Sequence, residues 1–125
     1  MNGVELIIDT NILIYLTSGN SDIAEIIRDK QVSISVITEM EIRSWPSLTK
    51  PETEVLGRML NQFYISPLNE SIKEKAIEIR KLTKLKLPDA VICATAIYFD
   101  VPLLTADQAL KKVKGLDLIL INANF

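Results

Sequence analysis

Short apolar runs alternate along this chain with longer segments in which apolar residues return every three or four positions. The first run, Leu6-Ile7-Ile8, stops at Asp9-Thr10-Asn11, and a second, Ile12-Leu13-Ile14-Tyr15, follows at once. Aliphatic, partly β-branched residues from Val4 to Ile8 predict a buried strand. The polar triplet predicts a helix capped by Thr10 or Asn11 and carrying Ile12, Leu13, Tyr15 and Leu16. Ser18-Gly19-Asn20 reads as a turn. Ser21 is expected to cap a short helix reaching about Lys30, with Ile23, Ile26 and Ile27 on one face. Gln31 to Val36 reads as a second strand. Thr38-Glu39-Met40-Glu41 has the Thr-x-x-Glu pattern of a capping box opening the next helix. Pro46 should end or bend that helix, and Trp45 beside it is read by default as core because of its large apolar area, with part of a partner groove as the alternative.

A further helix begins near Pro51, with Val55, Leu56, Met59, Leu60 and Phe63 on its apolar side. Phe63 to Ser66 reads as a short strand ended by Pro67. Asn69 or Ser71 opens a long helix with a core stripe of Ile72, Ala76, Ile79 and Leu82. Leu87-Pro88-Asp89 opens the most apolar helix, through Tyr98, with Pro88 suited to a first helical position. Its small residues predict close packing against a sheet. Pro102 to Leu104 is a brief strand, Thr105 caps the next helix with Asp107 in its first turn, and Leu118 to Ile121 is the last strand. Strands alternating with helices imply an α/β fold whose parallel sheet is covered on both faces. Residues 1–125 read as one domain, without repeat or linker.

Composition narrows the chemistry. With 48% hydrophobic and 24% charged residues the chain is globular. No stretch reaches the roughly 18 apolar residues that span a bilayer, and Glu5 and Asp9 interrupt the first apolar segment, which is therefore no signal peptide. One cysteine, Cys93, excludes an intrachain disulfide and reads as a small buried residue. A cytoplasmic location is expected. The net charge of −2 does not announce a nucleic-acid binder. The chain has no histidine, so His-based acid–base catalysis and His-ligated metals are excluded. Any bound metal must take oxygen ligands, which points to Mg²⁺ or Mn²⁺.

Four carboxylates, Asp9, Glu41, Asp89 and Asp107, fall at strand-to-helix junctions or near the starts of helices. Each alone could serve the helix dipole, and Glu41 could close the capping box with Thr38. Strand ends of a parallel sheet face one edge, however, and acids placed there can converge. Asp89 follows no obvious strand. Clustered carboxylates repel and raise one another's pKa values, and a divalent ion removes that conflict. Such a site suits metal-assisted phosphodiester cleavage.

These residues carry a resemblance. Ile8-Asp9-Thr10-Asn11, Ser35-x-x-Thr38-x-x-Glu41, Leu87-Pro88-Asp89-Ala90-x-Ile92-x-Ala94-Thr95-Ala96 and Leu104-Thr105-x-Asp107 stand in an order and spacing similar to those of PIN-domain ribonucleases, most of all the VapC-type toxins of prokaryotic toxin–antitoxin pairs. The resemblance spans nearly the whole chain. It implies a three-layer α/β/α sandwich with a mostly parallel sheet and a Mg²⁺- or Mn²⁺-dependent endoribonuclease. It further implies that Asp9, Glu41, Asp89 and Asp107 are the catalytic, metal-binding quartet, with Asn11 and Thr105 as supporting polar residues. The partners implied are an RNA substrate, an antitoxin protein and a second copy in a homodimer, with no membrane. The chain departs from the family pattern before the third motif, where a glycine-containing stretch is replaced by the basic run Arg80 to Lys86. Gln108 follows Asp107, and an aromatic often found further on is missing.

The basic run reads first as a solvated helix face and, alternatively, as an RNA-backbone track. Other functions are weighed against the nuclease. An aspartyl phosphatase using Asp9 as nucleophile would need a second Asp where Asn11 stands. A phospho-receiver would need adjacent acids near the first strand. A non-catalytic PIN-like scaffold binding RNA or protein would be expected to have lost acids from the quartet.

Overall fold

A computed structural model describes residues 3–122. Its elements are β1 (Leu6–Ile8), α1 (Thr10–Thr17), α2 (Ser21–Ile27), β2 (Val32–Ser35), α3 (Val36–Arg43), α4 (Lys50–Gln62), β3 (Tyr64–Ser66), α5 (Glu70–Leu82), α6 (Leu87–Phe99), β4 (Leu103–Thr105), a 3₁₀ helix (Gln108–Lys112) and β5 (Leu118–Leu120). The five strands form one sheet in the order β3-β2-β1-β4-β5, and every neighbouring pair is parallel. The expected α/β/α sandwich is therefore present. Among the described residues no helix is long and apolar enough to cross a membrane.

Strand side chains alternate between the faces of a sheet, so the two central strands feed two separate cores. Leu6, Ile8 and Leu104 pack with α1, α2, α4 and Ile34 on one face. Ile7 and Leu103 pack with α5 and α6 on the other. Helix α6 is buried continuously from Ala90 to Ala96, as its all-round apolar sequence requires. It is enclosed by the sheet and by the Ile72, Ala76 and Ile79 stripe of α5.

Several helix starts differ from the sequence expectation; at α1 and α3 the preceding strand runs almost directly into the helix. Asp9 itself, not Thr10 or Asn11, caps α1 by accepting from the Ile12 amide at 3.0 Å. Asn20, not Ser21, caps α2. Ser35 caps α3, so Thr38 already lies inside that helix and forms no capping box with Glu41. The capping box in this chain is Thr49 with Glu52, at the start of α4. Asp107, placed by the pattern in a first turn, is the cap of the 3₁₀ helix, and Thr105 is the last residue of β4.

Two apolar residues lie outside the core expected for them. Trp45 is 41% exposed, beyond the end of α3. Leu82 is 72% exposed at the end of α5, where Leu85 from the following loop enters the core beside Ile79 instead. These placements separate in mutagenesis. Ile34→Ala, at a fully buried position, should lower unfolding free energy by about 2–5 kcal/mol. Leu82→Ala should change it by no more than about 0.5 kcal/mol. Urea unfolding of both variants checks the difference.

Candidate active site

A single residue separates β1 from α1. Asp9 therefore stands at the carboxyl end of the central strand with its carboxylate turned back into the first turn of the helix. It is 8% exposed. One oxygen accepts from the Ile12 amide, and the other accepts from the Thr105 hydroxyl at 2.5 Å. Thr105 ends β4, the parallel neighbour of β1. This contact lies at the point where the order of connection changes: β2 and β3 extend the sheet on one side of β1, and β4 and β5 on the other. Ligands of open α/β sheets collect outside the strand ends at such a switch point. Thr105 Oγ1 also accepts from the Asp107 amide at 3.0 Å, while the Asp107 carboxylate accepts from the Ala109 amide. One hydroxyl thus fixes both the Asp9 carboxylate and the backbone that carries Asp107.

Glu41 arrives from α3, which packs against α1. Thr10, the residue after Asp9, donates its hydroxyl to Glu41 Oε1 at 2.6 Å, and Thr38 Oγ1 lies 3.2 Å from the same hydroxyl oxygen. Thr38 is fully buried. Asp89 lies in the first turn of α6, whose N-cap, Lys86, makes no side-chain cap.

The acids act on one another. Burial raises the Asp9 pKa above its ordinary value; the bonds from Thr105 and Ile12 oppose this, and the Asp89 and Asp107 carboxylates push it further up. Burial likewise raises Asp89, with Asp107 and Glu41 adding to the rise and Lys86 opposing it. The Cys93 thiol, one turn beyond Asp89 on α6, is pushed up to about 12, by burial first and then by Asp89, Asp9 and Asp107. The four predicted acids therefore share one electrostatic neighbourhood.

That neighbourhood is not a ready-made cage. Among the described residues no three Asp, Glu or Cys side chains are arranged to hold a metal ion. The donor chemistry nevertheless fits a hard divalent cation. All four donors are carboxylates, and the excess of negative charge is what a divalent ion offsets. Each Asp9 oxygen carries one hydrogen bond, which leaves further acceptor capacity for an ion.

Asn11, expected to support the ligands, is exposed in the first turn of α1, and no hydrogen bond joins it to Asp9 or Glu41. Sequence reasoning missed two contributors. Thr10 holds Glu41, a role its place beside Asp9 could have suggested. Thr38 completes that polar contact, although its pattern pointed to a cap.

Comparison with known proteins agrees with this architecture. The family model described as PIN domain matches residues 6–116. No curated protein matches the sequence. Among solved structures, the chain is similar to one in a toxin–antitoxin complex from Klebsiella pneumoniae, with 33% identity and a TM-score of 0.77 over 92% of this chain and 96% of that one. It is similar in fold to a chain of VapBC2 from Rickettsia felis bound to a promoter DNA fragment, with 18% identity and a TM-score of 0.82 over 94% and 98% of the two chains. A chain of DNA-bound VapBC from Salmonella typhimurium matches with 18% identity and a TM-score of 0.81, over 93% and 97%.

The raised Asp9 pKa has a signed consequence for stability. Between the ordinary value of 3.8 and the raised one, the folded chain holds the Asp9 proton more tightly than the unfolded chain. Stability therefore falls as pH rises through that window, and the loss is complete above it. Asp9→Asn keeps a capping acceptor for Ile12 and removes the titration. Its stability relative to the wild type should increase from pH 4 to 8 in urea unfolding without divalent ions. A flat or falling difference would show that ionised Asp9 is not disfavoured by the fold.

Proposed function

We propose, from the premise that this chain belongs to the PIN domain family, that it is a Mg²⁺- or Mn²⁺-dependent endoribonuclease and the toxin of a toxin–antitoxin pair. The observation that carries the nuclease reading is geometric: the Thr105 hydroxyl joins Asp9 to the Asp107 backbone at the switch point of the sheet, and Thr10 holds Glu41 beside them. The toxin reading draws on the 33% identity to a chain of a toxin–antitoxin complex. An antitoxin protein and a second copy of the chain are the proposed protein partners. Exposed Met40 and Trp45 offer apolar surface that such a partner would cover.

Asp9, Glu41, Asp89 and Asp107 would hold the metal. Bound there, a divalent ion supplies neutralisation of phosphate charge and a water-derived nucleophile at neutral pH. The chain's own contribution is positional. Thr105 holds Asp9 and the Asp107 backbone in one arrangement, and Thr10 holds Glu41. Burial of Asp9 keeps bulk water from screening the charge it presents. In-line attack of water on the scissile phosphorus leaves 5′-phosphate and 3′-hydroxyl ends. An aspartyl phosphatase would need a second Asp two positions after Asp9, where Asn11 stands.

The protein should cut single-stranded RNA in magnesium, stop on chelation and resume when magnesium is restored. Asp9→Asn should lose the activity with its circular dichroism unchanged. Cutting by that variant at the wild-type rate would end the assignment. Thr105→Val keeps the side-chain shape without the hydroxyl. It should cost about 1–3 kcal/mol of stability by leaving buried polar groups unpaired, and it should raise the magnesium concentration needed for half-maximal cleavage.

A further inference from the structure

We propose that two basic segments, 80–86 and 111–114, form a single track for the RNA backbone leading away from the acidic site. This rests on the ribonuclease reading above and adds where the substrate lies. The first segment carries Arg80, Lys81, Lys84 and Lys86, and the second carries Lys111, Lys112 and Lys114, with no acid in either. All seven are exposed. They are half of the chain's 14 bases, so the rest of the molecule carries 16 acids against seven bases. The near-neutral total therefore conceals a strongly basic region on an acidic protein.

Pairing differs between the two populations of bases: among the described residues, four of the seven outside the segments are in ion pairs, and Lys30, Lys50 and Arg58 are not. Every ion pair among the described residues uses a base outside the segments: Arg28 with Glu25, Arg43 with Glu39, Lys73 with Glu70, and Lys75 with Glu78. Among the described residues none of the seven within the segments is in an ion pair. Charge that no ion pair holds is available to a polyanion.

The fold then joins the segments. A cavity of about 230 Å³ has Lys112, Val113 and Lys114 on one side and Ile79, Leu82 and Thr83, from the end of α5, on the other. Glu78 also lines it but is held by Lys75 at 2.9 Å. The loop after α5 is ordered by its own bonds. Arg80 Nε donates to the Leu85 carbonyl, and the Leu85 amide donates to Thr83 Oγ1. Both segments lead back to the acids. Lys86 stands at the N-cap position of α6, three residues before Asp89, and opposes the rise in the Asp89 pKa, so its charge reaches the site. Lys111 and Lys112 lie in the 3₁₀ helix that Asp107 caps. An RNA with its scissile phosphate at the acids would thus lay its flanking phosphates over these lysines. Contacts of this kind position a substrate without reading its bases.

The test replaces Lys84, Lys112 and Lys114 by Ala in the Asp9→Asn protein, so that RNA is bound but not cut. The probe is a mixed-sequence single-stranded RNA oligonucleotide, and its affinity is measured against salt concentration. Loss of three phosphate contacts should weaken binding and make the log–log salt slope shallower by about 2. Replacing Lys30, Lys50 and Arg58 instead should leave the slope in place. With Asp9 intact, the Lys84, Lys112, Lys114 variant should show a raised KM and an unchanged kcat. If the Ala variant loses its circular dichroism signal, Lys→Gln at the same positions serves instead. Unchanged affinity and slope would overturn the track, as would loss of binding to an acidic protein partner with RNA binding intact. RNA bound through these lysines but never cut in magnesium would refute the nuclease and leave the track standing. Cutting with a salt response indifferent to the three lysines would do the reverse.

Discussion

The hydrogen bond from Thr105 to Asp9 ties together the ends of β1 and β4, residues 96 positions apart in the chain. The Thr105 hydroxyl holds two of the four acids, Asp9 directly and Asp107 through its backbone. Asp9 cannot leave the first turn of α1 without releasing both Thr105 and the Ile12 amide. The same hydroxyl accepts from the Asp107 amide, so it also sets where the next acid stands. A buried carboxylate is costly unless its lone pairs are occupied. Here the fold meets that cost with one helix amide and one threonine from the neighbouring strand.

The arrangement leaves a residual conflict. Hydrogen bonds stabilise ionised Asp9, while burial and two neighbouring carboxylates oppose it, and the opposition prevails. Asp89 is in the same position with only Lys86 to relieve it. Local destabilisation of this kind is characteristic of functional sites, where charge is set for a ligand rather than for the stability of the fold. The cores on the two faces of the sheet supply the stability that tolerates it, with Ile7, Ile8, Leu103 and Leu104 fully buried directly beneath the site.

Charge is also divided across the molecule. Asp9 and Asp107 stand just beyond the ends of β1 and β4, and bases outside any ion pair lie on the loop after α5 and on the 3₁₀ helix. The division places attraction for a polyanion beside the groups that would repel it.

Local pattern alone was enough for the order of strands and helices, the parallel sheet and the short list of acids. Apolar runs, helical spacing and strand-end polarity are properties of neighbouring residues, so they survive without tertiary context. The caps were less legible. Asp9 and Ser35 displaced the expected cap residues because β1 and β2 extend to within a residue of the helices, and only sheet pairing decides where a strand ends. Leu82, expected in the core stripe, is exposed because α5 ends there and Leu85 from the following loop joins the core beside Ile79. The links from Thr10 to Glu41 and from Thr105 to Asp9, and the meeting of the two basic segments at one cavity, span 31, 96 and roughly 30 residues. Such contacts depend on strand order and helix packing, which bring together side chains that no local periodicity relates.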